Sequence, residues 1–236
     1  MKAMLLAAGL GTRLKPFTTE HPKALAMVNG KSLLQRNIEY LSSFGIKDVI
    51  INIHHFPQQI INALKESKGF GSNIEISEEK DVLETGGGLM NARSFFDKSE
   101  PFVLMNVDIL TDLDIKKMTA QHISSKAIAT LAVTNRKTSR YFLFDELEGL
   151  CGWRNIKTGE QKISREANRY FQKAFSGIHI ISPAIFPVIK LKGKYSMVDV
   201  YLEICKTHTI KGFDHSTSKF IDVGTMKNIS IAEEIF

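Results

Sequence analysis

Apolar residues in the first half of the chain come in short runs separated by stretches with helical spacing. Residues 4–8 form an apolar run of the kind a buried strand shows, and it breaks at Gly9 and Gly11. Val28-Asn29-Gly30-Lys31 is a turn signal. Ser32 with Gln35 reads as a capping box for a helix carrying Leu33, Leu34, Ile38 and Leu41, and Gly45 is placed to end it. Residues 48–53 read as a second strand, and Pro57 opens a helix with Ile60, Ile61 and Leu64 on one face. A third strand over 73–77 leads into a glycine triplet, a helix is expected over 89–95, and 102–105 is a fourth strand. Strands alternating with helices at this spacing predict a mostly parallel, doubly wound sheet.

Beyond residue 125 the rhythm changes. Residues 127–133 read as a central strand, and 141–144 and 150–153 flank Asp145-Glu146-Leu147-Glu148-Gly149 as a hairpin. A strand over 174–181 is followed by a helix opening at Pro183 and another around 198–206. Late strands are expected over 210–213 and 220–223, with Thr225 capping a last helix. Asp112 and Asp114 read as further caps, and His215 as a loop residue. No linker, repeat or low-complexity segment divides the chain, so one domain over 1–236 is expected.

Composition narrows the class. A chain of 236 residues can bury a substantial core, and its 43% apolar and 24% charged residues are ordinary for a globular protein. No apolar run approaches the ~20 residues needed to span a bilayer. The start, with one lysine before Gly9, does not read as a signal peptide, so a cytoplasmic location is expected. Cys151 and Cys205 lack metal-site spacing and read as free, buried thiols. The net charge of +6 raises nucleic acid as a partner, but the cations are scattered and no recognition motif appears. The same charge suits small anionic substrates.

Chemistry concentrates near the amino terminus. After the first strand come Gly9, Gly11, Thr12, Arg13, Lys15 and Lys23. Glycines let backbone amides approach an anion closely and fixed cations supply countercharge, so the loop suits a polyphosphate. A Walker loop is absent, and the dinucleotide fingerprint fails where Leu14 stands in place of its third glycine. The longer string Leu6-x-Ala8-Gly9-x-Gly11-Thr12-Arg13-Leu14-x-Pro16-x-Thr18-x-x-x-Pro22-Lys23 resembles the signature of the sugar-1-phosphate nucleotidyltransferases. The resemblance continues at Glu84-Thr85-Gly86-Gly87-Gly88, Asn106-Val107-Asp108, Phe175-Ser176-Gly177-Ile178 and Ile221-Asp222-Val223-Gly224.

The resemblance implies a Rossmann-like α/β fold, the nucleotide-diphospho-sugar transferase fold: a mostly parallel mixed sheet flanked by helices, with a small antiparallel sugar-binding insertion. Residues 1–125 would be the nucleotide-binding half, and 126–236 would carry the sugar site and the second metal ligand. The implied reaction joins a nucleoside triphosphate to a sugar-1-phosphate and releases pyrophosphate. Arg13, Lys23 and Asp108 would be catalytic, with Arg13 on the leaving phosphates and Lys23 on the α- and sugar phosphates. Ala7, Ala8, Gly9, Gly11, Thr12, Arg13, Glu84, Gly86 and Gly87 would bind the nucleotide, the glycines admitting its flat base. Asn106 and Gly177 would face the sugar, and Asp108 with Asp222 would hold Mg²⁺.

Valine at 107 departs from the glycine usual at that position. Among family members the chain looks most like the N-acetylmuramate-1-phosphate uridylyltransferases and the mannose-1-phosphate guanylyltransferase-like proteins, with a lean towards uridylyl transfer. A phosphocholine-type cytidylyltransferase and a catalytically silent nucleotide-binding regulator are the other readings. At this length the appended β-helix of bifunctional members is not expected, and a monomer or small homo-oligomer is expected. His54 and His55 point to opposite faces if they continue a strand, which suits structural or rim roles. Trp153 reads as hairpin packing or as a platform for a sugar.

Overall fold

A computed structural model of the protein describes residues 1–96 and 100–236. The chain opens with β1 (Ala3–Leu6), a small hairpin of β2 (Met27–Val28) and β3 (Lys31–Ser32), α1 (Leu33–Ser43) and β4 (Asp48–Ile53). Next come α2 (Pro57–Glu66), β5 (Asn73–Glu78), α3 (Glu84–Asn91), β6 (Phe102–Asn106), β7 (Ile109–Thr111) and α4 (Ile115–Ser125). The second half contributes β8 (Ala129–Thr134), β9 (Arg140–Phe144), β10 (Leu150–Asn155), β11 (Gln161–Ile163) and β12 (Phe171–Ile181). It closes with α5 (Met197–Ile204), β13 (Ile210–Asp214), β14 (Phe220–Asp222) and α6 (Met226–Ile235).

One sheet runs β11-β10-β9-β12-β6-β1-β4-β5, with β8 branching from β12 and β13 pairing with β8. The first-half strands β5, β4, β1 and β6 are all parallel, as the alternating strands and helices require. Strand β12 then runs antiparallel to β6, β8 and β9, so it joins the two halves. Its register against β8 shifts between Phe175 and His179, and Gly177 takes φ 72° within that bulge.

The side chains of β1 alternate between two cores. Met4 and Leu6 pack with Leu89, Leu104, Met197 and Tyr201, whereas Ala3, Leu5 and Ala7 pack with Leu34, Ile38, Ile60 and Met118. A sheet covered on both faces explains why this strand is apolar throughout. A third cluster, with Leu14, Leu33, Leu110, Ile221 and Val223, pins the segment after β1 against β7 and β14.

Several expectations change. The helix expected over 89–95 starts at Glu84 and contains the glycine triplet. Ser32 caps α1 by accepting from Gln35 N–H (3.1 Å), but the Gln35 side chain donates to Glu39, so only half a capping box forms. Asp114 caps α4, while Asp112 accepts from Lys219 N–H (2.8 Å) beside the β7–β14 pair. The segment after Pro183 is a single short turn. His215 does lie in a loop, between β13 and β14, but it is buried there at 3% exposure. Cys151 and Cys205 are buried and free. Among the described residues no helix is long and apolar enough to cross a membrane.

Candidate active site

The parallel strands β1, β4 and β6 deliver their carboxyl ends to one cavity of about 300 Å³, the place where open α/β sheets collect ligands. The segment after β1 forms one wall, and Ala7, Ala8, Gly9, Gly11, Thr12 and Arg13 all line it. Gly11 has φ 61°, and a Cβ there would come within 2.9 Å of Thr18 Cγ2 and 3.0 Å of Lys23 Cβ. Only glycine fits that turn. At Gly9 nothing lies within 4 Å of the same position, so its backbone is open.

Lys23, Asn106, Val107 and Asp108 line the cavity from β6 and the segment before β2. Lys23 Nζ makes an ion pair with Asp108 Oδ2, both side chains being largely shielded from solvent. Val107 is buried with ordinary backbone geometry, its carbonyl accepting from Asn37 Nδ2 (2.8 Å). No backbone freedom peculiar to glycine is used at that position.

Asp222 does not line the cavity, but it sits at its edge. Strand β14 pairs with β7, placing Asp222 opposite Ile109, and Val223 N–H donates to Asp108 O at 2.8 Å. Arg13 Nη2 lies 3.9 Å from Asp222 Oδ2, and Gly224 completes the wall. Asp222 Oδ1 is buried and has no hydrogen-bond partner among the described residues. Burial and the neighbouring charge of Asp108 raise the pKa of Asp222, against the opposing pull of Lys23, Arg13 and Arg136. A carboxylate pair with an unpartnered oxygen, next to cations that suit phosphate, has the donor chemistry of a hard dication site completed by substrate oxygens. Among the described residues no group of three or more His, Cys, Asp or Glu side chains could hold a metal without such help.

The glycine triplet has a different placement from the one its motif suggested. Glu84 and Thr85 line the cavity, but Gly86 and Gly87 do not. Their N–H groups donate to Tyr195 O at 3.0 and 3.2 Å. A Cβ on Gly86 would meet Tyr195 Cδ2 at 2.5 Å, and one on Gly87 would meet Gly193 O at 2.5 Å. These glycines therefore let α3 press against the segment before α5. Thr85 Oγ1 accepts from Met197 N–H (2.8 Å) in the same junction. Gly177 also lies outside the cavity lining, yet its absent side chain makes room for Asn106 Nδ2, 2.7 Å from where a Cβ would stand.

Sequence reasoning missed Asn52, Glu79 and Val82, which line the cavity. Asn52 Oδ1 accepts from Ala7 N–H (2.8 Å) and its Nδ2 donates to Glu79 Oε1 (2.7 Å). Glu79 Oε2 accepts from Leu83 N–H (3.0 Å), so one buried network spans the glycine loop, β4 and the entry to α3. A polar residue near the end of an otherwise apolar strand was the available signal at Asn52. Glu79 was hidden in a run of charges, Glu78-Glu79-Lys80-Asp81, that reads as solvated. His54 Nδ1 lies 2.9 Å from Glu79 O and His55 Nε2 lies 3.1 Å from Thr18 O, so both support the walls. Trp153 packs against the core with Lys162 Nζ 5.8 Å from its ring, away from the cavity lining.

Fold and cavity together define a Rossmann-like α/β domain organised around a glycine loop and a carboxylate pair. The chain belongs to the nucleotidyl transferase family, whose model matches residues 2–144. It is 27% identical over 235 residues to a mannose-1-phosphate guanyltransferase of Yarrowia lipolytica, covering 97% of this chain and 62% of that protein. It is 32% identical over 196 residues to mannose-1-phosphate guanyltransferase beta-B of Xenopus laevis, covering 81% of this chain and 52% of the relative. The chain thus spans little more than half to three-fifths of these relatives. Among solved structures, HddC from Yersinia pseudotuberculosis complexed with GMP-PN matches with TM-score 0.80 and 25% identity over 100% of this chain and 99% of that one. UDP-glucose pyrophosphorylase from Acinetobacter baumannii shares the fold, with TM-score 0.79 and 17% identity over 98% and 91% of the two chains.

Proposed function

We propose that the protein transfers a nucleotidyl group from a nucleoside triphosphate to a sugar-1-phosphate. An oxygen of the sugar phosphate attacks the α-phosphorus, the bond from that phosphorus to the bridging oxygen of the β-phosphate breaks, and pyrophosphate leaves. In-line transfer of this kind asks the protein for positioning and charge neutralisation rather than covalent chemistry. The observation that carries the reading is the meeting, at one cavity, of an open glycine loop with Arg13, Lys23 and a carboxylate pair. Arg13 is assigned to the leaving phosphates and Lys23 to the α- and acceptor phosphates. Lys23 already neutralises Asp108, so it is held in place before any phosphate arrives. Asp108 and Asp222 are assigned to Mg²⁺, which would supply further countercharge to the phosphate oxygens.

The motif pattern by itself leaned to uridylyl transfer onto N-acetylmuramate-1-phosphate. The names of the relatives above favour guanylyl transfer onto a mannose-type sugar-1-phosphate, and we take GTP as the first donor to try. The test is a pyrophosphate-release screen with Mg²⁺ that crosses GTP, UTP, CTP, dTTP and ATP with mannose-, glucose-, N-acetylglucosamine- and N-acetylmuramate-1-phosphate, and with phosphocholine. The expected result is turnover with one donor, GTP first, and a sugar-1-phosphate. Turnover with phosphocholine alone would overturn the acceptor class. Silence across the grid, from a folded protein that still binds nucleotide, would overturn the activity and favour a regulatory role.

A further inference from the structure

Arg136 follows β8 in the turn towards β9, and its side chain runs inward between two strands that carry site residues. Its Nη2 donates to Phe175 O (2.6 Å), two residues before Gly177 on β12. Its guanidinium carbon lies 5.0 Å from the ring centroid of Phe220, two residues before Asp222 on β14. One planar group thus touches both the strand that bulges at Gly177 and the strand that ends at Asp222. Nothing else about the guanidinium is well compensated. Its Nε is buried without a hydrogen-bond partner, and no carboxylate lies within ion-pair distance among the described residues. Burial works against its charge, and Asp222 is the carboxylate that supports it.

The surroundings close off other roles. His215 packs edge-on against Phe220 with ring centroids 5.7 Å apart, and its Nε2 is 2.8 Å from Ser176 Oγ. The β12 bulge is therefore held at Ser176 by His215 and at Phe175 by Arg136. Among the described residues a carbonyl and a ring are the direct contacts of Arg136, and Asp222 acts at longer range; a half-buried arginine so sparsely paired is a costly device for stability alone, since burying a poorly paired charge is unfavourable. Its geometry makes sense as a strut with a long-range charge.

We infer that Arg136 is a positioning residue that fixes the Gly177–Asp222 edge of the cavity, and thereby governs binding of the acceptor phosphate more than that of the nucleotide. The inference rests on the proposed transferase reading. Among the described residues no hydrogen bond, ion pair or ring contact joins Arg136 itself to the glycine loop, Asn52 or Glu79; it reaches the nucleotide end indirectly, through Asp222, which lies 3.9 Å from Arg13.

The test compares wild type with Arg136→Met, which keeps length but removes the charge and the donors, and Arg136→Lys, which keeps the charge and loses the planar fork. Displacement of a positioned reacting group by about 1 Å costs on the order of 10²-fold. Arg136→Met is therefore expected to raise KM for the sugar-1-phosphate about tenfold or more and to lower kcat. The KM for the donor nucleotide should stay within about twofold, and Arg136→Lys should recover part of the loss. Equal changes in both KM values, or a lower melting temperature with unchanged kinetics, would make Arg136 merely structural and overturn the inference. Should Arg136→Met fail to fold, Arg136→Lys carries the test by the same split between the two KM values. A wild-type protein silent throughout the substrate grid is a different failure, because it removes the transferase reading itself.

Discussion

Replacing Asn52 by leucine should unlock the glycine loop from behind. Asn52 is 3% exposed, and it answers two groups at once: it accepts from Ala7 N–H and donates to Glu79 Oε1. Leucine has nearly the same volume and offers neither function, so no space opens for a water to take over. The substitution strands a buried amide and one oxygen of a carboxylate that is itself 4% exposed. Each unsatisfied buried group costs about 1–3 kcal/mol, and more where charge is involved, so the sum is about 2–6 kcal/mol. Against a total stability of about 5–15 kcal/mol this is a large fraction. Urea unfolding gives the number directly, as a drop in the midpoint at unchanged slope. The same variant should bind nucleotide more weakly, because Ala7 lines the cavity and loses the contact that holds its amide. A loss below about 1 kcal/mol with unaltered nucleotide binding would refute the argument that this network holds the loop.

Asp108→Asn should abolish Mg²⁺-dependent turnover, and Arg13→Ala should cut it about 10²–10³-fold with the melting temperature preserved; near-normal activity in either would displace the carboxylate or phosphate assignment. Gly86→Ala places a methyl group 2.5 Å from Tyr195 Cδ2. Overpacking of this kind costs about 1–3 kcal/mol, partly offset by the better helix propensity of alanine. Denaturant unfolding should show that loss, and an unchanged or higher midpoint would mean the ring moves aside freely. Acid should destabilise the fold through His122 and His179, which burial pushes down to about 4 and about 3. Below the unfolded value near 6.5 the unfolded chain takes up protons that the folded chain refuses, so stability rises with pH up to about 6.5 and is flat above it. Between pH 7 and 5 the loss is about 2 kcal/mol for each histidine. A melting temperature that does not fall between pH 7.5 and 5 would contradict this.

What was legible in the sequence was what local chemistry decides. The run before Gly9 had to be a buried strand, and Gly9, Gly11, Arg13 and Lys23 behind it do meet at one cavity. Thr225 and Asp114 had to cap helices. The start of α3 was illegible because a glycine triplet lowers helix propensity by about 1 kcal/mol per residue, and nothing local repays it. The compensation is tertiary: Tyr195 O takes two amides of the first turn, and Glu79 and Asn52 occupy the space that a side chain on Gly88 would need.

Asn52 and Glu79 were missed for a related reason. Their meaning depends on strand order: β4 lies between β1 and β5, with Asn52 opposite Leu6 on one side and Ser77 on the other. Only that register places the Asn52 amide between Ala7 and Glu79. Asp108 and Asp222 likewise become neighbours only because the short strands β7 and β14 pair, and neither strand has length enough to stand out in a sequence. The first half thus presents a glycine loop that one stretch of chain nearly specifies, whereas the side proposed for the acceptor is assembled from β6, β12 and β14. On the proposed reading, substitutions that leave the glycine loop untouched should therefore still alter acceptor selectivity. Arg136, which belongs to no motif yet touches two of those strands, is where that separation can be tested.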